Sequence, residues 1–292
     1  SYTENKMIRF GPSGNAREFY EQGKKNSEEA PEWLARRGLN AYEYSFGRGI
    51  NISDKKANAI RDAAAAYDVE VSVHAPYYIN FSNPDDAMAE KSYDYVLRSC
   101  AKLAEMGGER VVFHPAAVGK AGRKDAFALC LDRIKILRDR IYAAGMEKFR
   151  FCPETMGKIN QIGSLDEIIE LCAVDKIFLP AIDFGHLNAR TMGGIKTTDD
   201  YRRILEKLTE GLGFEKADNM HVHFSKIEYS KGGEVKHLTF EDEIFGPEFE
   251  PLAVAVVEYG LHPVFICESD DTQAKDAVEM KNIFEKVKKE TV

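Results

Sequence analysis

The chain has 292 residues, 44% of them hydrophobic, with a formal net charge of −8. That is enough apolar material for a substantial core, and the acidic total gives no overall charge attraction for a polyanion. No apolar run approaches the roughly 20 residues of a membrane helix and the polar opening "SYTENKMIRF" is unlike a secretion signal, so a cytoplasmic protein without a membrane partner is expected. Five dispersed cysteines without a CxxC read as buried free thiols.

Short apolar runs rich in β-branched and aromatic residues alternate with longer amphipathic segments along the whole chain. Strands are expected at 7–11, 40–46, 69–75, 110–114, 149–154, 177–184, 220–225 and 263–269. Helical patterns follow, among them one opened by Ser53 as an N-cap and others over 85–107, 123–145, 199–213 and 272–290. Eight strands alternating with helices predict an α/β chain folded as one (β/α)₈ TIM barrel over 1–292, which typically takes about 250 residues. Chemistry in such a barrel gathers at the C-terminal ends of the strands.

Those ends share one chemistry. The third strand ends at His74, the fourth at His114 and the fifth at Glu154. The sixth supplies Asp183 and His186, the seventh His221 and His223, the eighth Glu268, and His237 follows in a loop. Each alone has an ordinary explanation, as a packed imidazole or a helix cap. Together they would repel or be costly to bury unless a cation sits among them. Mixed imidazole and carboxylate donors suit Zn²⁺, with Mn²⁺ and Fe²⁺ as competitors. The number of candidate ligands favours two ions about 3.5–4 Å apart, as in phosphoester hydrolysis. Glu154, between the two groups of ligands, is the expected bridge and central catalytic residue.

The ordered set "VSVHAPYYINF", "VVFHP", "CPET", "IDFGHLNA", "MHVHFSK" and "FICES" resembles the motifs of the apurinic/apyrimidinic endonuclease IV family over about residues 69–290. The resemblance implies a (β/α)₈ barrel with three zinc ions that cuts DNA 5′ to abasic sites in base excision repair. It places His74, His114 and Glu154 on one zinc, and Glu154, Asp183, His221 and Glu268 on a second. The family motif His-x-Asn-Asp-Ser-Lys, aligned on Ser225 and Lys226, selects His221; His223, two residues on, faces the same way along a strand and stays an alternative. The third zinc falls to His186 with an Asp-x-His pair, replaced here by Glu234 and His237 with one residue more between them, which leaves that site altered or empty. The resemblance also puts Tyr77 near the lesion. The first strand has no histidine where the family carries one.

DNA needs local positive charge, and loops after the strands carry Arg48, Lys120, Arg123, Lys124, Lys158, Arg190, Lys196, Lys226, Lys231 and Lys236. Arg48, Arg190 and Lys226 are therefore taken with Tyr77 as substrate contacts, and the protein is expected to act as a monomer. Two other readings share the fold: a sugar isomerase or epimerase of the xylose isomerase-like barrel type, and a relative without catalysis.

Overall fold

The computed structural model describes residues 6–291. Eight parallel strands follow one another in chain order: β1 (Arg9–Pro12), β2 (Ala41–Ser45), β3 (Glu70–His74), β4 (Arg110–Phe113), β5 (Arg150–Pro153), β6 (Ala181–Asp183), β7 (His221–Phe224) and β8 (Val264–Cys267). They form two four-stranded sheets, β2 to β5 and β6 to β8 with β1. Single bridges join them at both seams, Ser13 to Glu43 and Glu154 to Ala181, so the sheet closes into a barrel. At the β1–β2 seam Gly11 is needed, because a Cβ there would lie 1.6 Å from the Ala41 carbonyl oxygen.

All eight expected strands are present, most of them shorter than the apolar runs. The run at 177–184 is cut back to three residues because Pro180 has no N–H for the ladder, although Phe178 still bridges Phe151. Outside the barrel lie α1 (Ala30–Ala35), α2 (Asp54–Tyr67), α3 (Asp86–Glu105), α4 (Arg123–Ala143), α5 (Leu165–Cys172), α6 (Thr198–Leu212), α7 (Glu250–Tyr259) and α8 (Gln273–Thr291). Ser53 caps α2 by accepting from the Lys56 N–H, as its sequence predicts. No helix is long and apolar enough to cross a membrane, among the described residues.

The main apolar core is the shell between strands and helices, where Phe10 stacks on Phe265 at 5.0 Å and Phe249 meets Phe265 edge-on. The barrel interior differs. Its apolar contents fall into two small groups, Ala41 with Val264 and Ile266, and Val112 with Cys152, Leu179 and Ala181. Beside them run the buried polar side chains Glu43, Ser72, Arg110, His221 and His223. Barrel interiors usually hold bulky branched residues, so a polar column demands its own account.

Candidate metal centre

Because strand side chains alternate, His74, Glu154, Asp183 and His223 turn into the lumen at its C-terminal mouth. Glu154 lies at the centre and is buried. Its Oε1 is 3.0 Å from His74 Nε2 and 3.3 Å from His114 Nε2. Its Oε2 is 3.2 Å from both His186 Nδ1 and His223 Nδ1. His223 Nδ1 is also 3.0 Å from Glu268 Oε1 and 3.9 Å from Asp183 Oδ2.

Three donor sets within this mouth each bring their ligand atoms within 4.8 Å of one another: His74, His114 and Glu154; Glu154, Asp183, His223 and Glu268; His186, Glu234 and His237. The geometry fits a cation. Bonds of about 2.0–2.1 Å place neighbouring donors of a tetrahedron about 3.3–3.4 Å apart. His114 to Glu154 is 3.3 Å, and Glu234 Oε2 lies 3.4 Å from both His186 Nε2 and His237 Nε2. Asp183 supplies a second sign. Its Oδ1 caps the short helix Phe184–Arg190 by accepting the His186 N–H at 2.7 Å, while its Oδ2 is buried with no hydrogen-bond partner. Such an atom is costly unless something positive meets it.

Backbone carbonyls fix the imidazoles. His74 Nδ1 donates to the Ala75 carbonyl at 2.8 Å, leaving Nε2 for Glu154. His186 Nδ1 donates to the Thr155 carbonyl at 2.8 Å, leaving Nε2 for Glu234, and His237 Nδ1 pairs with Ser225 Oγ at 2.7 Å. Partners of this kind accompany metal-ligating histidines.

Charge balance without a cation is maintained by protons. Burial pushes the Glu154 carboxyl up, but His223, His114 and His186 more than offset this and hold it well below the usual range. Burial opposes the charged forms of His186 and His223, yet Asp183 and Glu234 raise the first, and Glu268 and Glu43 the second, well above an ordinary imidazole. Burial, reinforced by Glu268 and Glu154, raises Asp183 well above an ordinary carboxyl. Glu268 is drawn down to about 2, against its own burial, mainly by His223.

Several sequence-based expectations change. His221 does not join Glu154, Asp183 and Glu268; it belongs instead to a fourth donor set, with Glu43 and His223. The register pairs Asp183 with His223 and Ala181 with His221, so His221 faces the lumen one level deeper, against Glu43 at 2.7 Å. The Ser-Lys alignment selects His221, whereas the imidazole beside Glu154, Asp183 and Glu268 is that of the alternative, His223. The extra residue between Glu234 and His237 does not disperse the third set, because Val235 bulges out of the hairpin Ile227–Ser230/Gly233–His237. Arg190 is not at the mouth surface; it is half-buried and donates to the carbonyls of Met156 and Gln161 at 3.0 and 3.3 Å. Lys226 is buried, its Nζ held by the carbonyls of Phe240 and Asp242 and by Glu248. Both cations are engaged in bracing loops.

Arg48 is exposed on the loop after β2. Tyr77 is 54% exposed, with its ring 5.7 Å from that of His114 at 25°, so it overhangs the first donor set. A groove of about 670 Å³ leads away from Glu234 between the hairpin and the loops after β4 and β5, lined by Lys158, Lys231, Arg123 and Ile159. Arg123 is engaged with Glu167 and with the Ile159 and Gln161 carbonyls; Lys158 and Lys231 are exposed. A larger cavity, about 750 Å³, is lined by Arg110, Lys148 and Lys216 near the N-terminal ends of the strands, away from these donors. Sequence reading missed Glu43, on β2 beneath the mouth, and Thr155, whose Oγ1 accepts the Asp183 N–H at 2.8 Å.

Residues 31–286 match the model of the xylose isomerase-like TIM barrel family. The chain belongs to this family. An uncharacterized protein of Methanocaldococcus jannaschii is 32% identical over 240 residues, 82% of this chain and 85% of the relative. A probable endonuclease 4 of Nitratidesulfovibrio vulgaris is 26% identical over 179 residues, 60% of this chain and less than two thirds, 62%, of that relative. The resemblance to endonuclease IV is thus borne out as a distant relationship. Among solved structures, a D-tagatose 3-epimerase-like protein superposes with a TM-score of 0.73 at 19% identity, covering 98% of this chain and all of that one. Endonuclease IV from Thermus thermophilus superposes at 0.70 with 20% identity over 97% of this chain and 99% of that one. At these identities the structural likeness establishes the barrel.

Proposed function

We propose that this barrel is a zinc-dependent phosphodiester hydrolase that cuts DNA 5′ to abasic sites. The observation that supports the reading best is the double engagement of Glu154, Oε1 toward His74 and His114 and Oε2 toward His186 and His223. A carboxylate so placed joins two donor sets, as a two-cation phosphoester centre requires. The relatives named probable endonuclease 4 agree with it.

His74, His114 and Glu154 would hold one ion, Glu154, Asp183, His223 and Glu268 a second, and His186, Glu234 and His237 a third. Bound there, such cations supply Lewis acidity and a water whose pKa falls toward about 7. The chain's own residues position the substrate. Tyr77 offers a ring face beside His114 for an unstacked sugar or base, and stacking of this kind is tolerant of sequence. Lys158 and Lys231 flank the groove that starts at Glu234, where they would pair with successive phosphates. Asp183, capped in place, directs Oδ2 inward, and the buried setting of Glu154 keeps bulk water from its oxygens.

A second reading has its own support. Glu154, Asp183, His223 and Glu268 form one carboxylate-rich set with a single imidazole, the kind of centre a sugar isomerase or epimerase uses, and the fold likeness to the D-tagatose 3-epimerase-like protein is close. It leaves His114, Glu234 and His237 without a task, which favours hydrolysis. Purified protein is to be incubated with abasic-site duplex, intact duplex and common aldoses and ketoses, with chelator and with zinc restored. Chelator-sensitive nicking at the lesion is expected; aldose–ketose interconversion without nicking would replace the proposal.

A further inference from the structure

The polar column beneath the mouth ends at the centre itself. Arg110 on β4 approaches His221 Nδ1 with its Nη1 at 3.4 Å. His221 Nε2 lies 2.7 Å from Glu43 Oε1, which also accepts from Ser72 Oγ at 2.9 Å. Glu43 Oε2 lies 2.7 Å from His223 Nε2. That contact is an ion pair too bent to count as a hydrogen bond, and neither atom has a hydrogen-bond partner among the described residues. All of these side chains are buried. Placing a carboxylate and a guanidinium inside a barrel is costly unless partners are well arranged.

The proton positions follow from donor chemistry. A guanidinium only donates, so His221 Nδ1 accepts and its proton sits on Nε2, directed at Glu43. An ionised carboxylate only accepts, so the proton facing Glu43 Oε2 belongs to His223 Nε2. With that nitrogen committed, His223 turns Nδ1 toward Glu268, Glu154 and Asp183. In the metal-free protein Nδ1 donates its own proton to Glu154 Oε2 at 3.2 Å; a divalent cation among these carboxylates would displace that proton and take Nδ1 as a ligand.

We propose that Glu43, braced by His221 and Arg110, is a positioning residue that locks His223 in the tautomer whose Nδ1 is delivered to a divalent cation. Glu43 touches none of the donors except His223, and acts through it. The inference rests on the metal-centre reading above, and gives His221 a task other than coordination. Glutamine at position 43 keeps the shape but offers one acceptor and one donor where two acceptors are needed, so one imidazole must reverse its proton. If His223 reverses, its Nδ1 is capped.

The test is a zinc competition titration against a chromophoric chelator, on the full chain, for wild type and Glu43→Gln. Wild type should bind more than one zinc. The variant should weaken one equivalent by about 10–100-fold, the usual effect of removing an outer-shell partner, while the others keep their affinity. A merely structural role would weaken all of them or none. Wild-type affinity at every equivalent in Glu43→Gln would overturn the inference; a wild type that takes up no divalent ion would instead sink the metal-centre reading. If the variant does not fold, nitrogen-15 spectra of histidine-labelled wild type with zinc decide alone: a His223 proton on Nε2 and ligation at Nδ1 are expected, and the opposite assignment refutes the proposal.

Discussion

Glu234 and His237, three residues apart on one strand, present Oε2 and Nε2 to each other at 3.4 Å on the same side of the hairpin, facing His186. A regular strand would send them to opposite faces. The bulge at Val235 restores the phase: Glu228 pairs with Lys236 and Tyr229 with Glu234, with Val235 left out and exposed. Deleting Val235 should therefore straighten the ladder and keep both side chains on the inner face, whereas deleting Val235 and Lys236 together should make the two adjacent and turn one away. Zinc content by atomic emission is expected to be unchanged in the single deletion and lower by one equivalent in the double deletion.

Gly157 limits how closely this hairpin approaches the mouth. A Cβ there would fall 2.7 Å from Glu234 Cβ and Oε1 and 3.0 Å from His186 Cδ2. Gly157→Ala should displace Glu234, and weaken the ion assigned to that set selectively, with little change in thermal stability of the metal-free protein. Equal zinc affinity in variant and wild type would show that the hairpin tolerates the methyl group.

Glu154→Gln removes the charge facing four imidazoles at once. Turnover on abasic-site duplex should fall by more than the roughly 10–100-fold typical of an outer-shell change. The protein should remain folded, since Glu154 packs against the donor sets and not in the apolar shell. Retained activity would refute the bridging role.

The raised imidazoles set a pH dependence. His186 and His223 hold protons in the folded, metal-free protein beyond the ordinary histidine range. The stabilisation is fully present below the unfolded histidine value of about 6.5 and is lost as pH rises through the folded values. Asp183, raised as well, acts in the same direction, because the folded state again binds more protons than the unfolded one. Glu154 and Glu268 stay ionised throughout and add nothing in this range. Metal-free protein should therefore lose stability as the pH rises above about 6.5 in chemical denaturation. Zinc must displace the same protons, so its apparent affinity should rise over the same interval.

What the sequence disclosed depended on where a residue sits along its strand. His74, His114, Glu154, Asp183 and Glu268 stand at the ends of apolar runs, so a polar residue interrupts a buried pattern and signals the mouth. Glu43 stands mid-strand in "AYEYS", where alternation reads as polar outward and aromatic inward. In a closed barrel both faces are buried: Tyr42 packs under the helices and Glu43 enters the lumen. His221 and His223 share a face, and only the cross-strand register with Asp183, a long-range property, sets their depth. The short helix Phe184–Arg190 was hidden because it begins at the last strand residue, Asp183, without an intervening loop.

Exposed lysines and braced arginines should separate in their response to salt. Lys158 lies open on the groove that leaves Glu234, so Lys158→Ser should weaken binding to abasic-site duplex and reduce the salt dependence by about one phosphate contact. Arg190 instead satisfies the carbonyls of Met156 and Gln161 from a half-buried position. Arg190→Met should leave the salt slope unchanged and cost stability of about 1–3 kcal/mol, as expected when charged hydrogen bonds to partly buried acceptors are lost. Binding measured by anisotropy at several salt concentrations, with denaturation curves for the same proteins, distinguishes the two effects. A reduced slope in Arg190→Met would place that guanidinium on the substrate after all.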